Sequence, residues 1–441
     1  MNMNINRQVR IASILMGFSL LVGGLAWGQS DDAGYPFRPE SEYQEMGSTA
    51  YQKFLDQEDV PVYTGWAADL YAIQLAPWKR QGEGIQGAYV VLEGAGGLID
   101  NSVMEIPVGG KTKPEHHLFE EQILIMRGEG EAHFWQTDED KKSVIRFRRG
   151  TVFAPPLNTW HQFINTGSEP VRLVSETDLP LKIDLFHNAE FMFNSQFQFT
   201  DRYAGQADYF DPENSKTYAP TPQHHSLSIV NQVRDAWKWR LFHAGQGFGD
   251  IDRHILLSNN IMPTHIEQFP VGTYERAHSH GPGAAIVLLD GKGYTLLWHA
   301  SNGLNPWKDG KGDQVHRVDW REGVLFVPPT RWFHQHFNTG TDAPRFIMLG
   351  SRPGNELYKM TAKEIFMKDG SGSYMIMFEE QDPYVTDLFK KELAIHGTRL
   401  RMPPMDVLIE LEKETGDGAF LKEMPVEELE RMLKAAEEAN Q

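Results

Sequence analysis

The sequence predicts an all-β protein: two tandem antiparallel β-barrels, of simple barrel or double-sheet jelly-roll type, followed by a C-terminal helical extension. Three observations predict it. Two stretches of the chain repeat each other, short aliphatic runs are broken by turn residues at roughly ten-residue spacing, and the pattern turns helical after about residue 355. The first repeated block sets Gly109, Glu115, His117, Glu121 and Gly128 against Gly272, His278, His280, Ala284 and Gly291, each pair 163 positions apart (272 − 109 = 163). The second sets Gly150, Pro156, His161 and Asn165-Thr166-Gly167 against Gly323, Pro329, His334 and Asn338-Thr339-Gly340, 173 apart (323 − 150 = 173). The second copy therefore has ten extra residues (173 − 163 = 10) between its blocks, and the turn-rich stretch Asn302 to Asp313 accommodates them, because insertions belong in loops.

The elements follow in chain order. Arg7 and Arg10 precede an apolar run from Ile11 to Leu25, and Ala26-Trp27-Gly28 offers small residues where a signal peptidase reads. Residues 1–28 are thus expected to be a signal peptide cleaved before Gln29, with an uncleaved anchor as the alternative; either way the folded part is exported, to the periplasm or beyond. The run is short for a membrane span, so no stable membrane insertion is expected after processing.

Residues 35–180 are expected to form the first barrel domain, where Gln122-Ile123-Leu124-Ile125-Met126 and Thr151-Val152-Phe153-Ala154, the latter running into Pro155-Pro156, read as strands. Residues 181–230 are aromatic and poor in aliphatics (Phe191, Phe193, Phe197, Phe199, Tyr203, Tyr209, Phe210), and read as an inter-domain segment wrapped over the barrel surfaces. Residues 231–355 make the second barrel domain, with strands at Ile286-Val287-Leu288-Leu289 and Val324-Leu325-Phe326-Val327. In the extension, 356–441, Asp382-Pro383 caps and opens a helix, Gly397 stops it, and Pro425 followed by Glu427 and Glu428 opens a last amphipathic helix.

Composition narrows the chemistry. In 441 residues, Lys+Arg 42 against Asp+Glu 60 gives a net charge of −18, which repels phosphate backbones and anionic headgroups, so no nucleic-acid partner is expected. The absence of cysteine excludes disulfides, thiolate nucleophiles, Fe–S clusters and Cys-type zinc sites. Metal chemistry must rest on the 17 His and the carboxylates. Gly94-Ala95-Gly96-Gly97 does not open a helix after a strand with nucleotide-binding spacing, and Ser or Cys nucleophile signatures are missing.

Strand alternation carries the candidate sites. Residues at i and i+2 share a face, so His278 and His280 project together, and His334 from a neighbouring strand closes a set of three imidazoles that suits Fe(II), Mn(II), Cu(II), Ni(II) or Zn(II). In the first copy His117, Glu121 and His161 supply two imidazoles and a carboxylate, and Glu115 offers a fourth, harder ligand of Mn-like character. His116, one residue off, should face the other way. His336 shares the inward face of His334 and is a candidate to orient a ligand or act as general acid or base. Tyr294, Leu296 and Trp298 align with Glu131, His133 and Trp135, so one parity of each strand should line each pocket; Tyr294 is the candidate there. Arg331, with Trp332, precedes His334 and places a guanidinium at the barrel mouth to meet a substrate carboxylate.

These two blocks resemble the two motifs of the cupin superfamily, and the chain as a whole resembles a bicupin. The family's first motif runs Gly, five residues, His-x-His, three or four residues, Glu, six residues, Gly; its second runs Gly, five residues, Pro-x-Gly, two residues, His, three residues, Asn. The first copy departs at Glu115, in place of the first His, and at Asn158, in place of the middle Gly; the second departs at Ala284 for the Glu and Arg331 for the Gly. The resemblance implies jelly-roll barrels, each with a metal site. With Ala284 in place of the carboxylate, the second site is more similar to the three-His iron sites of the cysteine dioxygenase and diketone dioxygenase branches than to the four-ligand sites of oxalate decarboxylase. The implied function is that of an exported, metal-dependent bicupin enzyme, a non-haem dioxygenase acting on a small aromatic or diketone-like substrate that chelates through oxygen. Fe(II) is favoured, with Mn, Zn, Cu or Ni as alternatives, and the second site ranks first for catalysis. A redox-neutral Mn or Zn lyase, isomerase or decarboxylase, or a non-catalytic ligand-binding or storage bicupin, remains open, as does a homo-oligomer.

Overall fold

Alternating apolar residues give each strand two distinct faces, and this chain buries both. The computed structural model describes residues 49–138, 141–220, 225–243, 250–279, 285–350 and 374–415. The expected signal peptide, the helix at Pro425, and His280 and Ala284 of the second copy lie outside the described residues.

Each half is a sandwich of one large and one small sheet. In the first, the large sheet runs Val62–Tyr63, Gln86–Val90, Asp100–Ile106, Val171–Thr177, Glu121–Arg127, Val152–Phe153, Gln232–Val233, with Ala76–Pro77 beside Gln86–Val90. Facing it is the sheet Trp160–Asn165, Glu129–Trp135, Ser143–Arg148. The second half repeats this order with Ile251–Leu257, Pro263–Gln268, Arg345–Leu349, Ala285–Leu288 and Val324–Phe326 in its large sheet, and Trp332–Asn338 beside Gly293–His299 in its small one.

The halves exchange strands. Ala67–Asp69, early in the chain, pairs with Val324–Phe326 of the second barrel, and Gln232–Val233 pairs with the equivalent strand of the first, Val152–Phe153. The simple boundaries 35–180 and 231–355 therefore do not describe the folded units: each barrel is closed by a strand from the other's segment. The large sheets also pack against one another, with Leu124 and Val174 of the first and Ile266, Val287 and Ile347 of the second in one shared core. Gly94, in the turn Glu93–Ala95, is part of this contact; a Cβ there would lie 1.8 Å from the Val327 carbonyl oxygen. The glycine serves close packing of the two halves.

The aromatic segment after residue 180 is more structured than a wrap. It opens with the helices Leu179–Phe186 and Ala189–Asn194, and Tyr203, Tyr209 and Phe210 are buried in the core of the first barrel. The C-terminal helices Pro383–His396 and Met405–Thr415 cover the outer face of the second barrel's small sheet, where Phe389, Leu393 and Leu408 join Tyr294 and Phe337. Arg276 and Glu412, both nearly fully buried, pair at 2.7 Å and fasten the last described helix to the strand beneath. Among the described residues no helix is long and apolar enough to cross a membrane.

The motif asparagines are structural. Asn165 Nδ2 donates to the carbonyls of Ile106, Pro107 and Glu169, and its copy Asn338 donates to those of Phe269, Pro270 and Asp342. Each Oδ1 accepts from the glycine N–H two residues on, Gly167 or Gly340. One amide thus clamps two turns that would otherwise leave buried carbonyls unpaired.

Candidate metal centres

In the first barrel Glu115 and His161 sit opposite each other across a short antiparallel bridge, which brings the first motif onto the strand carrying the second. Cross-strand pairing then fixes the inward face: His161 stands opposite Phe134 and Phe163 opposite Ala132. His117 Nδ1–H donates to the Phe119 carbonyl at 2.8 Å, and His161 Nδ1–H to the Thr159 carbonyl at 2.9 Å. A carbonyl can only accept, so the proton sits on Nδ1 and each neutral ring presents its Nε2 lone pair inward. The Phe119 ring, stacked 3.6 Å from that of His117, blocks its rotation.

Both lone pairs face Glu121. Its Oε2 lies 3.3 Å from His117 Nε2 and 3.9 Å from His161 Nε2, and the three donors fall within 4.8 Å of one another. His161 Nε2 is buried with no hydrogen-bond partner. Two lone pairs and a carboxylate oxygen converging in a dry site repel one another unless a cation or protons lie between them. A two-imidazole, one-carboxylate set of this kind fits a divalent transition ion and leaves coordination positions open.

Glu115 is held to one side of this set. Arg80 Nη1 donates to its Oε2 at 2.7 Å and Gln81 Nε2 to its Oε1 at 2.9 Å, while Oε1 remains 3.8 Å from His161 Nε2. Burial alone would raise its pKa, but Arg80, with His161 and His117 behind it, holds the carboxyl well below the usual range. Arg80 is itself gripped through Nε by both oxygens of Glu58 at 2.9 Å. Beneath, Asp100 accepts from Tyr51 OH at 2.6 Å and Thr177 Oγ1 at 2.5 Å; burial pushes its carboxyl up to about 6, against those hydrogen bonds. The neighbour of Glu121, Glu120, faces the opposite way and accepts from the backbone N–H of Ile261 and Met262, tying the site's strand to the second barrel. His116 also faces away, onto Asn158 Oδ1 at 2.9 Å and the Trp160 ring.

In the second barrel His278 and His334 are direct cross-strand partners with ring centroids 4.2 Å apart, and each Nδ1 again faces the carbonyl two residues earlier, Arg276 at 3.1 Å and Trp332 at 3.3 Å. His336 lies deeper, its ring about 6 Å from those of Phe326 and Trp320. The Thr295 hydroxyl, which accepts from Trp320 Nε1, meets His336 Nδ1 at 2.8 Å, so its own proton can go to that nitrogen and leave Nε2–H directed to Glu275 Oε1 at 3.5 Å.

Two sequence expectations change here. Tyr294 is not a pocket residue: it pairs with Phe337, stacks on it at 4.5 Å, and lies under the C-terminal helices, while Thr295 and Leu297 share the inward face of His336 and His334. The parity assigned to Tyr294, Leu296 and Trp298, and to Glu131, His133 and Trp135, is the outward one, because only cross-strand register decides which face a strand turns inward. Arg331 is exposed and holds φ +61°, as Asn158 holds φ +55° at the equivalent place. This left-handed backbone explains why the family motif has glycine there.

Sequence reasoning missed Arg80, Gln81 and Glu58, which precede the repeated blocks and so lack any spacing signal. It also missed Glu275, whose position three residues before His278 was available to find.

Residues 102–176 match the family model described as Cupin domain. A search of curated proteins found no significant match. Similar solved structures include the salicylate 1,2-dioxygenase of Pseudaminobacter salicylatoxidans (12% identity, 68% of this chain and 82% of that one, TM-score 0.45). They also include oxalate decarboxylases from Lactobacillus farciminis (11%, 78% and 95%, 0.43) and, as a variant, from Bacillus subtilis (11%, 66% and 78%, 0.41). The matched segment thus forms one cupin-domain barrel, and the second barrel repeats its motifs, strand order and asparagine clamp, so that the chain is a tandem pair of barrels of this kind.

Proposed function

We propose that the protein is an exported metal-dependent enzyme, a non-haem dioxygenase that acts on a small aromatic or diketone-like molecule chelating through two oxygens. The observation that carries the metal-dependent part is the convergence of the His117 and His161 lone pairs on Glu121, with a buried nitrogen left unsatisfied. Fe(II) suits this donor set best, since two imidazoles and one carboxylate leave adjacent positions for two further ligands. A bound ion supplies those open positions and Lewis acidity.

The protein's own groups do the rest. The Phe119 and Thr159 carbonyls hold a proton on each Nδ1, so that each ring, once neutral, turns its Nε2 lone pair toward the site. Phe134, Phe153 and Phe163 exclude water from the barrel floor. Glu115, kept ionised by Arg80, presents a fixed negative charge beside the site that can orient a substrate hydroxyl. That same carboxylate favours a second reading, a redox-neutral Mn-dependent lyase, because two carboxylates harden a site and one can shuttle a proton.

The test is metal content of protein purified without chelators, then oxygen uptake by Fe(II)-loaded protein with catechols, gentisates and β-diketones. Oxygen consumption that Glu121→Gln abolishes supports the dioxygenase. Turnover of a carboxylic acid without oxygen uptake selects the lyase, and folded protein that binds no ion at all overturns both.

A further inference from the structure

A second group of donors lies in the second barrel, on its large sheet rather than on the small-sheet strands of His278 and His334. The short strand Leu227–Val230 runs parallel to Ile251–Leu257 with Leu227 opposite His254, and this register sets His225 beside Asp252. Next in the same sheet, Pro263–Gln268 is antiparallel, with His265 opposite His254 and Glu267 opposite Asp252. Because Ile255, Ile266 and Val230 fill the core between the barrels, these polar residues occupy the other face, inside the second barrel.

The geometry is tight. His225 Nδ1 is 2.7 Å and His254 Nε2 3.3 Å from Asp252 Oδ2, and one donor from each of the three lies within 4.8 Å of the others. The rings of His225 and His254 are 4.5 Å apart, and the His265 ring is stacked 4.7 Å from that of His254. Asp252 is 3% exposed, and its Oδ1 is buried with no hydrogen-bond partner. Glu267, also buried, stands opposite Asp252 in the neighbouring strand.

We propose that His225, Asp252 and His254 form an additional divalent-metal site in the second barrel, separate from the His278 and His334 centre and built for a borderline ion such as Zn(II). Two imidazoles and a carboxylate are the donor set of many zinc and iron sites. On binding, the ion takes the place of the imidazole protons now shared with Asp252, and those protons leave to solvent. His265, stacked on His254, limits the rotation of that ligand. The site shares no ligand with the cupin motifs, so it stands or falls apart from the dioxygenase reading.

The experiment is Zn(II) titration of the metal-free full-length protein, counting bound ions per chain after gel filtration and following Tm. Asp252→Asn and His225→Gln should each bind about one ion fewer than wild type and lose part of the Zn(II)-induced rise in Tm. The double variant His278→Ala/His334→Ala, which dismantles the neighbouring centre, should retain the ion lost in Asp252→Asn. His225→Gln keeps a side chain that can bond Asp252, so it serves if Asp252→Asn does not fold. Unchanged stoichiometry in the foldable variants, or loss of the ion in the His278→Ala/His334→Ala protein, overturns the proposal.

Discussion

The two barrels place the same two motifs on the same strands yet equip them differently. At equivalent positions the first has Glu115, Glu121, His161 and Phe163 where the second has His278, Ala284, His334 and His336. The first centre is a compact set of two imidazoles and a carboxylate over an aromatic floor, its extra carboxylate restrained by Arg80. The second is richer in imidazole and takes a carboxylate, Glu275, from within its first motif, three residues before His278, at the position where the first barrel has Thr112. Duplication conserved the backbone that aims the side chains, and divergence acted on the side chains.

The largest expected effect separates the centres directly. His161→Ala or Glu121→Gln should weaken metal binding in the first barrel by at least about 100-fold and abolish turnover, since ligands matter more than the groups that orient them. His334→Ala should remove the second centre while oxygen uptake persists. The reverse result would move catalysis to the second barrel, where the sequence motifs alone rank it.

Next comes the bracing of the second barrel by its C-terminal helices. Arg276→Ala leaves Glu412 buried without its partner and should cost on the order of 3–5 kcal/mol in denaturant unfolding. Metal content of the first barrel should not change.

A smaller effect depends on pH and belongs to the first barrel. The Asp100 carboxyl is raised to about 6 in the folded state, above its ordinary value of 3.8, so folding there favours the protonated form. Stability relative to Asp100→Asn should therefore increase as pH falls from 7 to 4, by about 3 kcal/mol at most, and be flat above 7. A gain on raising the pH instead would mean the carboxylate is stabilised in its charged form.

The smallest contrast is in the equivalent turns. Arg331→Gly relieves left-handed backbone and should stabilise by about 1 kcal/mol or less. Asn158→Gly should destabilise despite the same φ, because Asn158 Nδ2 donates to the Ser195 and Phe197 carbonyls. Thermal melts of the two variants read both signs. If Arg331→Gly also lowers the apparent affinity for acidic substrates, the guanidinium meets them at the barrel mouth.

Much of this was legible because motif spacing is local. The strands around Ile123 and Ile286, the helix Pro383–His396 with its Gly397 stop, and the choice of His117, His161, His278 and His334 as donors all follow from short-range patterns. The outward turn of Tyr294 was not legible, since alternation says that two faces exist and not which one meets the core. Nor was the strand exchange through Ala67–Asp69 and Gln232–Val233, where two or three residues with no strong β pattern find a partner at least 79 positions away (232 − 153 = 79 for the nearest pair).

By itself the sequence determined the duplicated architecture and the imidazole-based donor sets, because glycine turns, strand periodicity and paired histidines act over a few residues. Only the tertiary structure decided that Arg80 restrains Glu115, that Glu275 faces His336, and that His225 meets Asp252 and His254. Those meetings depend on sheet register and on packing between segments far apart in the chain, and no short-range pattern encodes them.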